Sequence, residues 1–188
     1  MKKYNGKVFC LGISKTGTKS WHIAMGNLGY KSIHNGGRPI DMDMLNSYDA
    51  FSDSNTCWFK YDVLYEDIPN SKFVLSVRDK ETWIGKILTW YNPKFKQSYI
   101  KWHRDGIYDL RMDTTEELSE FFDTYVNDII EYFKDKQDRF IIHDVFSGDG
   151  YKKLCEFLEI ESCCNNVWWM NEKYPHLINE TVINGVHI

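Results

Sequence analysis

The sequence predicts an α/β protein, a three-layer sandwich with a central parallel sheet. Three observations carry this. Short apolar runs at Lys7–Leu11, Lys72–Val77 and Phe140–His143 read as strands buried on both faces. Segments between them carry helical apolar spacing, clearest from Leu118 to Phe133. Strands that alternate with helices pair in parallel, because the helix returns the chain across the sheet. The length of 188 residues fits one domain, since domains run to roughly 100–200 residues.

The elements follow in order. Lys7–Leu11 is the first strand, and Gly12–Ser20 is a loop rich in Gly, Ser and Thr. A helix starts near Gly17 and stops at Gly29, a residue suited to a helix C-terminus. Tyr30–His34 is a short second strand, Asn35–Pro39 a loop, and Tyr48–Asp53 a third strand. Lys72–Val77 precedes a helix over Lys80–Trp90. Residues 92–113 have no clear period and contain Pro93 and Gly106, so they read as a long insert. The next helix places Leu118, Phe121, Phe122, Tyr125, Val126, Ile129, Ile130 and Phe133 on one face, and Thr114 with Glu117 forms a capping-box pattern. Phe140–His143 is a further buried strand, and Tyr151, Leu154, Cys155 and Leu158 mark the inner face of a short helix. In such sheets ligands bind beyond the carboxyl ends of the strands. The loops after Leu11, Asp53, Val77 and His143 are therefore expected to meet at one crevice.

Composition narrows the function. The net charge of -4 argues against a general nucleic-acid binder, which needs a basic face. No run approaches the roughly 18 apolar residues of a membrane span. Five cysteines without CxxC or zinc spacing point to a reduced, cytoplasmic setting in which Cys163 and Cys164 serve packing. No metal is expected.

The loop Gly12-Ile-Ser-Lys-Thr-Gly-Thr-Lys-Ser20 sits between a buried strand and a helix. Glycines let successive backbone N–H groups turn towards an anion, and the helix N-terminus adds positive potential. Lys15 supplies a full charge, and Thr16, Thr18 and Ser20 supply hydroxyls. A nucleotide-hydrolysing loop would carry Lys directly after the second Gly. Here Thr18 intervenes after Gly17, which turns Lys19 by about 100° around the helix. That favours a phosphate or sulfate cradle over a γ-phosphate and Mg²⁺ site. Arg78 ends the Lys72–Val77 strand, where its planar fork suits phosphate. A surface pair with Asp79 is the plain alternative.

Lys15-Thr-Gly-Thr with Ser20, followed by Val77-Arg-Asp-x-x-x-Trp83, resembles the sulfotransferases that use 3'-phosphoadenosine 5'-phosphosulfate. Leu28-Gly-Tyr30 and the Phe140–Leu158 strand and helix are also similar to that family, and the resemblance covers residues 7–91 and 139–160. It implies a single domain over residues 1–188 with a P-loop-like fold. It implies sulfonate transfer to a hydroxyl or amine of a small-molecule or carbohydrate acceptor. Lys15, Thr16, Gly17, Thr18, Lys19 and Ser20 would hold the 5' end of the donor, and Arg78 the 3'-phosphate. Lys15 would also stabilise the leaving oxygen. Lys86 stands where the family usually has Ser, as a point charge near the 3'-phosphate or as an altered site. Trp21 is either an adenine-stacking ring or a core aromatic.

The reaction also needs a base for the acceptor proton. Asp53, ending the third strand, is the first candidate, and His34 is the second. Either can instead be a turn residue. His143 and Asp144 read as structural. The insert, with Trp90, Tyr91, Tyr99, Trp102, His103 and Arg104, reads as an acceptor lid or as a cap on the core, and Trp168 and Trp169 share that ambiguity. Asn179-Glu-Thr181 matches a glycosylation pattern. Two other classes stay open: a P-loop small-molecule or nucleotide kinase or hydrolase using ATP and Mg²⁺, and a non-catalytic anion-binding module.

Overall fold

A computed structural model describes residues 4–90 and 114–160, with residues 174–175, 182–183 and 186–187 beyond them. The expectations for the insert at 92–113, for Trp168 and Trp169, for Cys163 and Cys164 and for Asn179–Thr181 lie outside these residues. Five parallel strands form the central sheet: β1 (Lys7–Cys10), β2 (Ser32–Gly37), β3 (Ala50–Ser54), β4 (Ser71–Ser76) and β5 (Phe140–His143), in the order β2-β3-β1-β4-β5. The helices between them are α1 (Thr18–Asn27), α2 (Met42–Ser47), α3 (Asn55–Phe59), α4 (Tyr61–Asp67), α5 (Lys80–Trp90) and α6 (Thr115–Phe133). α7 (Tyr151–Phe157) follows β5, and β6 (Val182–Ile183) pairs with β7 (Val186–His187) in a separate antiparallel ribbon.

Alternation along β1 sorts the core into two layers. Val8 and Cys10 face α1 and α7, packing with Trp21, Ala24, Met25, Leu154 and Leu158. Phe9 and Leu11 face the opposite way, towards α3 to α6. This is the placement that right-handed crossovers require: the chain moves one way from β1 to β2 and the other way thereafter. The second layer is aromatic. Phe51, Phe9, Phe73 and Phe140 lie in register across four strands, and Phe133 of α6 stacks on Phe140 at 4.5 Å between ring centroids. Among the described residues most of the aromatic side chains are thus core. Truncating one such ring, as in Phe9→Ala, costs about 3–5 kcal/mol.

Most elements lie where the sequence predicts them. The capping box of α6 forms, with Thr114 Oγ1 accepting from Glu117 N at 3.2 Å and Glu117 Oε2 accepting from Thr114 N at 3.0 Å. Four expectations need correction. β2 runs on to Gly37 through the segment expected as a loop, because Gly36 and Gly37 take positive φ and a register shift accommodates them. Phe140–His143 is a sheet edge, so Ile142 is exposed instead of buried on both faces. Ile130 points to solvent, which narrows the buried stripe of α6. Cys155 is disulfide-bonded, against the expectation of reduced cysteines, while Cys10 and Cys57 are buried free thiols. No helix among the described residues is long and apolar enough to cross a membrane.

Candidate active site

The loop after β1 is held by its carbonyl oxygens. Tyr125 Oη donates to Leu11 O at 2.6 Å and Trp58 Nε1 to Gly12 O at 2.9 Å. Thr16 Oγ1 donates to Ile13 O at 2.7 Å and Trp83 Nε1 to Ser14 O at 2.9 Å. Arg78 Nη1 donates to Lys15 O at 2.9 Å. Five consecutive carbonyls are thereby tied to side chains, so their negative ends are neutralised where an anion would approach. Lys15 (φ 74°) and Gly17 (φ 96°) are left-handed, the conformation from which concave N–H nests are built. For Lys15 this is strain of about 1–3 kcal/mol. Gly12 admits no side chain: a Cβ there would lie 1.8 Å from Ser76 Oγ and 2.7 Å from Ser76 O.

The expected cations gather at this loop. Burial lowers the half-buried Lys15 ammonium from its ordinary value; Asp53 opposes that shift, and Lys19, Lys86 and Arg78 add to it. Lys19, Lys86 and Arg78 thus all bear on Lys15, a gathering of positive charge suited to an anion. The guanidinium of Arg78 stacks on Phe146 at 3.6 Å. Its Nε is buried without a hydrogen-bond partner among the described residues. Burial lowers the Arg78 pKa, and Asp144 counteracts this. The two halves of the expected nucleotide site therefore face one another. Thr16 is buried, and its hydroxyl also contacts Ser76 Oγ at 3.0 Å, so it serves the loop's own shape. Thr18 and Ser20 are buried at the start of α1, and Lys19 is exposed. Trp21 is fully buried in the core, which leaves no face for adenine.

On the other side of the loop lie the two candidate bases. Asp53 is left-handed (φ 53°) and 8% exposed. Its Oδ1 accepts from Ser14 Oγ at 2.7 Å, and its Oδ2 lies 3.5 Å from His34 Nε2. Burial lowers the His34 pKa; Asp53 counteracts this, and Lys19 and Lys15 reinforce it. Asp144 accepts from Phe146 N and Ser147 N and closes a turn, in keeping with a structural role. Gly17 packs near Val145 and Phe146, so the loop after β5 joins the same crevice. Trp58, Phe146 and Ser14 were not singled out in the sequence, and Tyr125 was read only as a core position of α6. A separate open groove of about 630 Å³ between α5 and α6 is lined by Glu81, Glu116, Glu120 and Asp123, an unfavourable setting for an anion.

A family model described as the sulfotransferase domain matches residues 7–43 and 40–180. The chain belongs to the sulfotransferase domain family. Both the β1 loop and Arg78 fall within the match. The chain is also similar to the Ava biosynthesis cluster protein M of Aspergillus versicolor, 22% identical over 202 residues, covering 81% of this chain and 76% of that protein. Membership of the sulfotransferase family supports a sulfotransferase-like, group-transferring function.

Proposed function

We propose that the protein transfers sulfonate from 3'-phosphoadenosine 5'-phosphosulfate to a hydroxyl or amine of a small-molecule or carbohydrate acceptor. One observation carries the reading. Arg78 donates to the backbone of the β1 loop at Lys15 O, so a guanidinium lies beside a cationic loop, an arrangement that suits a nucleotide with phosphates at both ends. The pinned carbonyls, the Cβ-free Gly12 and the unpartnered Arg78 Nε all fit such a ligand.

The donor supplies an activated sulfonate whose leaving group is a phosphate oxygen. Residues Lys15 to Ser20 hold the 5' end through backbone N–H groups and charge, and Arg78, with Lys86, holds the 3'-phosphate. Lys15 offsets negative charge that builds on the bridging oxygen, a form of stabilisation strongest in a partly buried site. Asp53 removes the acceptor proton, with His34 beside it. The crevice holds the reacting atoms in line, which lowers the entropic part of the barrier.

Calorimetry with 3'-phosphoadenosine 5'-phosphate and with ATP–Mg²⁺ tests the reading. The first ligand is expected to bind in the micromolar range or tighter, and Arg78→Ala to weaken it by about 10- to 100-fold, the loss of a charged hydrogen-bond donor. Tighter binding of ATP–Mg²⁺ would favour a kinase or hydrolase instead. Binding of the bisphosphate without turnover over an acceptor panel would leave an anion-binding module.

A further inference from the structure

Ser52 and Asp53 of β3 contact opposite nitrogens of the His34 ring on β2. Ser52 is fully buried on β3, in register with His34 on β2. Its Oγ lies 3.3 Å from Ile33 O and 3.2 Å from His34 Nδ1. A hydroxyl has one hydrogen to give, and a carbonyl can only accept. Both contacts are hydrogen bonds in one arrangement alone: Ser52 donates to Ile33, and His34 Nδ1–H donates to Ser52. A neutral imidazole then presents a bare lone pair at Nε2. That atom faces Asp53 Oδ2 at 3.5 Å, while Ser14 occupies Oδ1 at 2.7 Å. In that arrangement two acceptors oppose each other.

We infer that Ser52 is a positioning residue that holds His34 in its Nδ1–H tautomer, and that His34 Nε2 together with Asp53 Oδ2 is where the acceptor's proton comes to rest. The tautomer rests on the Ser52 contacts of a neutral His34, and the proton's destination rests on the proposed sulfonate transfer. In that step the acceptor O–H bond breaks and its electron pair forms the new bond to sulfur. The bond from sulfur to the bridging phosphate oxygen breaks, and its pair departs with the bisphosphate. The proton passes to Asp53 Oδ2 and on to Nε2, which closes the gap as an N–H···O contact.

The groups facing the ring from each packed element are Asp53 on β3, Lys15 in the loop, and Lys19 and His22 on α1. The His22 ring lies 6.0 Å away and is engaged with Ser32 Oγ at 2.9 Å. Burial lowers the pKa of both histidines, which favours the neutral imidazole that can receive a proton.

Long-range proton–nitrogen correlation spectra of the histidine-labelled protein test this directly, with the His34 signals assigned by their loss in His34→Gln. The wild type is expected to show Nδ1 protonated and Nε2 bare. Ser52→Ala is expected to move His34 to the Nε2–H tautomer, now donating to Asp53, whereas Asp53→Asn keeps the wild-type pattern. With donor and a working acceptor, Ser52→Ala should lower kcat roughly tenfold and leave the acceptor KM unchanged. An Nε2–H pattern in the wild type, or an unchanged pattern in Ser52→Ala, overturns the tautomer lock. A moved tautomer with unchanged kcat overturns the proton's destination. Failure to transfer sulfonate to any acceptor, with the tautomer as expected, sinks the proposed function and leaves the lock standing.

Discussion

The crevice has two ends built on different principles. At the β1–β4 end, side chains from far along the chain hold the loop by its carbonyls, and Lys19, Lys86 and Arg78 gather positive charge around Lys15. At the β2–β3 end, Ser14, Asp53, His34 and Ser52 touch through side chains and share few protons. The first end is a rigid electrostatic mould. The second is a chain of side-chain contacts in which His34 is the group whose protonation burial shifts. Binding strength should depend on the one and chemical rate on the other.

The sharpest way to break this division is Asp53→Asn. Loss of a general base is worth about 10²–10⁴ in kcat, while calorimetric affinity for 3'-phosphoadenosine 5'-phosphate should stay within about threefold, because binding lives at the other end. A parallel loss of affinity would show that the ends are coupled. Gly12→Ala is the converse. The clash with Ser76 forces the loop open, and affinity for the bisphosphate should fall about 100-fold, a cost of the size that backbone-level overpacking brings. The His34 tautomer should persist in the same variant.

Acidity separates the ends further. Lys15 must be charged to hold a phosphate, and burial lowers its pKa. Affinity should therefore fall as pH rises through a value below 10.5, the ordinary lysine value. Lys15→Arg should abolish that fall, since guanidinium keeps its proton. His34 works in the opposite sense. Its depressed pKa keeps Nε2 bare until the pH falls to a value below 6.5, the ordinary histidine value, and kcat should decline about tenfold per pH unit below that point as the atom becomes protonated. The smallest effect is expected at Thr114→Ala, which removes the capping box of α6 at about 1 kcal/mol. Thermal unfolding should register a drop of about 2–4 °C, with affinity and kcat unchanged.

The strands of the sheet and the longer helices were legible because their apolar periods extend over enough residues. α3 and α4 were not, since Asn55–Phe59 and Tyr61–Asp67 are too short to establish a period. The glycines of β2 read as a loop because their positive φ and register shift depend on pairing with β3. In the site, Lys15, Arg78, Asp53 and His34 stood out by their place at strand ends. What escaped was the support. Trp58, Trp83 and Tyr125 lie 46, 69 and 114 residues from the carbonyls they hold, and a linear reading carries no signal for pairs so far apart. Ser52 gave no hint either, because its meaning depends on which atom of His34 it touches across two strands.

The stacking of Arg78 on Phe146 at 3.6 Å has a kinetic side under the proposed function. A guanidinium braced in advance loses little freedom when it meets a phosphate, and that phosphate is untouched by sulfonate transfer. The spent nucleotide is thus gripped as firmly as the fresh one. Turnover would then be paced by product departure, and accumulated bisphosphate would act as a competitive brake on the protein's own throughput.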